Sequence, residues 1–185
     1  MKTKKKTKII PYIVDVLLMG VLIWFDQFTK SLAVEKLMDQ EPYQIISGVL
    51  QFHYLENRGA AFGMLQNKKW FFLVVGITFL IIILFALIYI PTVKKYTALR
   101  VCLLLIGSGA VGNMIDRISL NYVIDFIYVI YINFPIFNVA DCYVSVATFF
   151  LIILILFFYK EDDLNFKKAR TPKIHSSMRN PMENQ

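Results

Sequence analysis

Cysteine and histidine are scarce in this 185-residue chain, with two of each. Cys102 and Cys142 stand far apart with no CxxC spacing, which argues against a disulfide scaffold, and no Cys/His or carboxylate cluster has the spacing of metal ligands. Buried free thiols are the simpler reading. A Ser-His-Asp triad needs a histidine beside its nucleophile, and His53 and His175 are the only two available. Charge is scarce as well: Asp, Glu, Lys and Arg make up 18% of the residues, against ~25% in soluble domains. There is no internal repeat. There is also no matched pair of Gly/Pro-broken helices of the kind found in many transporters.

What fills the space is apolar. The hydrophobic set makes up 57% of the chain and aromatics 15%, too much for so short a chain to bury in one aqueous core. Four runs are long and apolar enough to cross a bilayer: about Ile9 to Phe25, Trp70 to Ile90, Tyr96 to Ile115, and Cys142 to Tyr159. The second is uncharged, opens on the interfacial aromatics Trp70, Phe71 and Phe72, and stops at Pro91. The first carries Asp15 and the third Arg100.

Net charge is +7, and its distribution sets topology. Lys2, Lys4, Lys5, Lys6 and Lys8 precede the first span, Lys94, Lys95 and Arg100 follow the second, and Lys160, Lys167, Lys168, Arg170, Lys173 and Arg179 follow the fourth. The positive-inside rule then places both termini in the cytoplasm. The basic balance therefore points to contact with inner-leaflet lipid, not to nucleic acid. A cleavable signal peptide ending near Ser31-Leu32-Ala33 is the alternative for the start of the chain, and Lys30 directly before that site argues against it.

Two segments fall outside, roughly Ser31 to Lys69 and Asp116 to Asp141. In the first, Leu50, Phe52 and Tyr54 alternate with Gln51 and His53 as in a half-buried strand, and Asn57-Arg58-Gly59 marks a turn. A small β platform is expected over about residues 40–65. In the second, Phe126 to Ala140 carries no charge and is expected to lie in the membrane interface.

Ionisable residues near hydrocarbon are expensive and mark functional sites. Asp26, Asp116 and Asp141 fall at the outer ends of spans one, three and four, with Asp125 between the last two, so four carboxylates are expected at one depth. Asn138 is placed to cap the fourth helix, with Asp141 in its first turn. Asp125 has no such support and is the candidate to hold a proton. Two carboxylates in unequal surroundings can divide into a base and an acid. An Asp at a helix end is, taken singly, more often a cap, and Arg58, Lys30 and Arg117 can serve simply as counter-charges. Asp15 is assigned to structure. A channel would need polar residues through the membrane, whereas spans two and four are uncharged throughout and the acids gather on one face. A Ser/Lys peptidase would use Ser108 and Lys30, although Gly107-Ser108-Gly109 lacks nucleophile-elbow spacing.

Five blocks, in order, resemble the signature of bacterial lipoprotein signal peptidase, the type II signal peptidase. They are Asp26-Gln27-Phe28-Thr29-Lys30, Asn57 to Gly63, Gly109 to Arg117, Val123-Ile124-Asp125-Phe126 and Phe134 to Asp141. Ser108 and Tyr128 depart from the family's usual residues. The resemblance implies a four-helix aspartyl endopeptidase of the inner membrane that cleaves prolipoproteins just before a Cys carrying diacylglyceryl. It places Asp125 and Asp141 on the catalytic pair. It places Asp26, Lys30, Asn57, Gly59, Asn113, Asp116, Arg117, Asn138 and Ala140 on positions that support the pair or hold substrate. No metal, other cofactor or obligate protein partner is expected; the partners are the lipidated substrate and membrane lipid. The organisation expected is a basic cytoplasmic tail over 1–8, one membrane peptidase domain over 9–160, and a disordered cytoplasmic tail over 161–185.

Overall fold

The computed structural model describes residues 9–59, 68–164 and 166. The lysines before Ile9, the end of the expected platform beyond Gly59, and nearly all of the terminal tail with His175 lie outside the described residues. The chain runs α1 (Ile10–Leu37), β1 (Tyr43–Ile46), β2 (Leu50–Asn57), α2 (Lys69–Tyr89), α3 (Thr97–Ser119), β3 (Val123–Val129), α4 (Val139–Ile153, extended by a π-helical turn over Leu154–Phe158) and the short α5 (Glu161–Leu164). The four long helices are all long and apolar enough to span a bilayer.

α2 has the highest mean hydropathy, 3.2, and α1 the lowest, 1.5. α3 is the central helix, packing against α1, α2 and α4. Its small residues make this possible: Gly107, Ser108, Gly109 and Gly112 are all buried. A Cβ at Gly109 would stand 2.5 Å from the Ala140 carbonyl oxygen, and one at Gly112 would stand 2.4 Å from Asp26 Oδ2. Both distances are shorter than any tolerable contact, so these glycines set how closely α4 and α1 approach.

Two polar locks join α1 to α3. At one end Arg100, 5% exposed, pairs with Asp15 and donates to the carbonyls of Leu87 and Ile90 at 2.6 and 3.0 Å. It thereby satisfies carbonyls that the end of α2 leaves open. The Tyr159 hydroxyl donates to the Lys95 carbonyl, and that of Tyr96 to the Asp163 carbonyl, at the same end. The second lock belongs to the site described below.

Two expectations are corrected. α1 does not stop near Phe25 but continues to Leu37, so Asp26 and Lys30 lie within a helix, one turn apart. At ~1.5 Å per residue its 28 residues span about 42 Å, more than the ~30 Å hydrocarbon core. The platform has a third strand: β3 pairs antiparallel with β2, giving the order β1-β2-β3, with Leu55 opposite Asp125 and Asn57 opposite Val123. Part of the segment expected to lie flat in the interface is therefore a strand, because its backbone groups find partners in β2 and at Phe137. α4 begins at Val139, directly after the expected cap Asn138 and three residues before the uncharged run. Phe52 and Tyr54 pack, as their alternation suggested, on the cluster of Ala33, Ile124 and Phe126 that seats the sheet on α1.

Candidate active site

The four carboxylates meet. Asp26, Asp116 and Asp125 are 0, 2 and 1% exposed, so each must be paired or hydrogen-bonded to be tolerated. The centre of the arrangement is Lys30, itself 1% exposed. An ammonium has three N–H donors and no acceptor, and here its partners are Asp26 Oδ2 and Asp116 Oδ2, each at 2.9 Å, and Asn113 Oδ1 at 3.0 Å.

That last bond orients the next residue. With its oxygen held toward Lys30, Asn113 turns its amide nitrogen to Asp141, donating to Oδ1 at 2.8 Å. Asn138 donates from its side chain to the same Asn113 oxygen at 3.1 Å, to the Ile124 carbonyl at 3.2 Å and to Asp125 Oδ1 at 2.7 Å. Its own oxygen accepts from the Asp141 N–H at 3.0 Å, while the Asn138 N–H donates to Asp141 Oδ2 at 3.1 Å. This is the expected cap of α4, in the reciprocal form of a capping box. Asn138 thus links Asp125 to Asp141. On the other side of Asp125, Asn57 donates to Oδ2 at 2.8 Å and accepts the Gly59 N–H at 3.0 Å, closing the turn expected there.

The two outer carboxylates hold backbone. Asp26 Oδ1 accepts the N–H of Ala140 at 2.9 Å, and Asp116 Oδ2 accepts that of Ile124 at 3.1 Å. Those two residues directly precede Asp141 and Asp125.

Asp125 and Asp141 face a cleft of about 560 Å³. Asn57, Gly59 and Arg117 also line it, and its apolar wall includes Phe72, Phe134, Phe137 and Val146. Arg117 stacks over the Phe72 ring at 4.6 Å. Burial, first, and the neighbouring Asp141 push the Asp125 carboxyl up from its ordinary value to about 7, against the amides of Asn57 and Asn138 and the Lys30 charge. A carboxyl raised this far can hold a proton near neutral pH, and the hydrogen-bonded carboxyl of Asp141 lies in the same cleft. Such a pair can take a proton from water and give one to a carbonyl oxygen.

Every residue that the resemblance placed on the site falls in this network or lines the cleft, whereas Arg58 pairs with Glu56. Ser108 also stands outside it: its hydroxyl donates to the Leu104 carbonyl at 2.7 Å within α3, and all three Lys30 donors are engaged elsewhere. His53 lies on the sheet near Tyr128. Cys142, read as a buried thiol, lines the cleft with Ser145 and Val146 at the i, i+3, i+4 spacing of one helix face. Gln27 joins the network as well, and an amide in an apolar helix beside Asp26 is itself a sequence signal. Its Nε2 lies 2.9 Å from Asp116 Oδ1.

Comparison with known proteins gives a consistent picture. The model of the family described as Signal peptidase (SPase) II matches residues 18–157. A lipoprotein signal peptidase of Clostridioides difficile (strain 630) is 42% identical over 143 residues, covering 77% of this chain and 95% of that protein. One from Clostridium tetani (strain Massachusetts / E88) is 40% identical over 156 residues, covering 83% and 96%. A solved bacterial membrane enzyme, determined by the in meso method at 2.3 Å resolution, is similar with a TM-score of 0.67 and 31% identity, over 86% of this chain and 94% of that one.

Proposed function

Because the chain belongs to the signal peptidase II family, membrane proteases that remove signal peptides from prolipoproteins, we propose that Asp125 and Asp141 are its catalytic pair. The observation that carries this reading is their common attachment to Asn138 beside a cleft whose lining is otherwise largely apolar. A water between them loses a proton to the Asp141 carboxylate as its oxygen attacks the scissile carbonyl carbon. The protonated Asp125 gives its proton to the carbonyl oxygen, producing a neutral tetrahedral diol. On collapse, Asp141 returns the proton to the leaving nitrogen, the C–N bond breaks, and Asp125 recovers its proton from the diol. The cycle closes without a covalent enzyme intermediate.

The scissile bond in this reading is the one before a Cys carrying diacylglyceryl. The apolar cleft wall, opening at the end of four apolar helices, suits a substrate whose signal helix and acyl chains stay in lipid. Among the described residues, Arg117 and Asn57 line the cleft as donors for substrate carbonyls. The basic segments give the orientation: both termini cytoplasmic, the sheet and the pair at the outer face of the cytoplasmic membrane.

Purified enzyme incubated with a diacylglyceryl-modified precursor and with its unlipidated form tests the proposal. Cleavage of the first alone, abolished by Asp125→Asn and by Asp141→Asn in protein that remains inserted, is the expected result. Substantial turnover by either variant would remove the pair.

A further inference from the structure

Gln27 is not among the residues that the sequence singled out, yet it has three acceptors around one amide nitrogen. Nε2 lies 2.9 Å from Asp116 Oδ1, 3.2 Å from Asp26 Oδ2 and 3.2 Å from the Gly112 carbonyl oxygen. Asp26 and Asp116 belong to different helices, and each uses another contact to hold a peptide N–H: that of Ala140, directly before Asp141, and that of Ile124, directly before Asp125. Two donors therefore bridge the carboxylates that fix the two reactive elements. Lys30 is one, and Gln27 is the other.

We propose that Gln27 is a positioning residue for the hydrolysis, setting the spacing between Asp125 and Asp141 through the Asp26–Asp116 bridge. The inference rests on the dyad reading above. The physical reason for a neutral amide is charge. Asp26, Asp116 and Lys30 together carry one net negative charge. A further carboxylate in place of Gln27 would add repulsion beside the dyad, whereas an amide supplies N–H groups and no charge. Nothing in the geometry brings Gln27 to the cleft or to substrate; it acts only through the backbone that Asp26 and Asp116 hold.

Small displacements of reacting groups are costly, about a hundredfold in rate for 1 Å. Gln27→Met keeps the length and volume of the side chain and removes its donors. The expected result with a lipidated precursor is a fall in kcat of about tenfold or more with KM within about twofold, since the loss falls on the transition state and not on uniform binding. Gln27→Glu is the second variant. Its carboxylate repels Asp26 and Asp116 when ionised and donates to one of them when protonated, so its activity relative to the parent should rise as pH falls. A role limited to stability would lower the thermal midpoint while leaving kcat of the inserted protein and the relative pH profile unchanged. Wild-type kcat in Gln27→Met, or a pH-independent deficit in Gln27→Glu, would overturn the proposal. Asp125→Asn and Asp141→Asn run in the same assay separate the two readings. If they are inactive while Gln27→Met is unimpaired, only this inference fails; if they are active, the dyad fails.

Discussion

Asp125 takes both of its hydrogen bonds from side-chain amides, and Asp141 takes one from an amide and one from the peptide that caps its own helix. The difference matters for pH dependence. Asp125 is raised to about 7, foremost by burial, so its acid form is lost as pH rises through that value. A rate requiring one proton on the pair should then fall on the alkaline side with a midpoint near 7. The acid side should fall when the second carboxylate is protonated, and the curve reports the pair, not either residue. A kcat/KM profile measured between pH 4 and 10 checks this, and a flat alkaline limb up to pH 9 would contradict it. Lys30 yields another test. Removing one partner of a buried ionic group costs about 3–5 kcal/mol, so Lys30→Met, which leaves Asp26 and Asp116 facing each other, should lower the thermal midpoint in detergent and abolish turnover. The ammonium occupies the position a cation would take between Asp26 and Asp116. EDTA should therefore leave the rate unchanged.

At the scale of elements, the decisive contacts are where α3 meets its neighbours. Gly112→Ala would drive a methyl group into Asp26 Oδ2, whereas Gly20, on the same α1 as Asp26, has nothing within 4 Å of an added Cβ. Gly112→Ala should lose most folded protein and activity, and Gly20→Ala should retain both, as size-exclusion monodispersity and turnover will show. Asn138→Ala removes a helix cap, worth about 1 kcal/mol, and the tie between the dyad carboxylates. It should cost far more in kcat than in stability. These elements were unequally legible in the sequence. The four spans stood out by hydropathy, and Asn138 with Asp141 announced the cap by their spacing. β3 did not: Val123 to Val129 is buried at its start and almost uncharged, so it lacks the alternation that marks a half-buried strand. The last dozen residues of α1 escaped for the opposite reason, because Lys30, Glu35 and Lys36 lower its hydropathy while leaving the helix intact. Composition alone makes Lys30 a counter-charge, and its partners Asn113 and Asp116 lie more than eighty residues away, so that only the resemblance, and no local pattern, selects Asn113.

For the whole molecule, the sheet and the dyad lie at one end of the bundle, and the Lys95, Tyr96 and Asp163 contacts lie at the other. In a background with Cys102 and Cys142 replaced by Ala, a cysteine at Gln44 should react with a membrane-impermeant maleimide in intact cells. One at Glu161 should react only after lysis. The reverse pattern would invert the proposed orientation.

The two locks between α1 and α3 also bear on how the protein is made. α1 carries Asp15 and Lys30, whose partners Arg100, Asn113 and Asp116 all reside on α3, and Asp26, which pairs with Lys30 on its own helix and accepts the Ala140 N–H of α4. The earliest of these four helices in the chain is thus also the least apolar, and Asp15 and Lys30 lack their partners on α3 until that third helix has been synthesised. α2, uncharged after Lys69, has no such dependence. Biogenesis is accordingly a waiting problem: α1 must be retained beside the insertion machinery, or remain shallow, for the time taken to translate some sixty intervening residues. Asp125 and Asp141 follow α3 in the chain, so the scaffold of α1 and α3 can be joined before either of the two carboxylates of the proposed pair arrives.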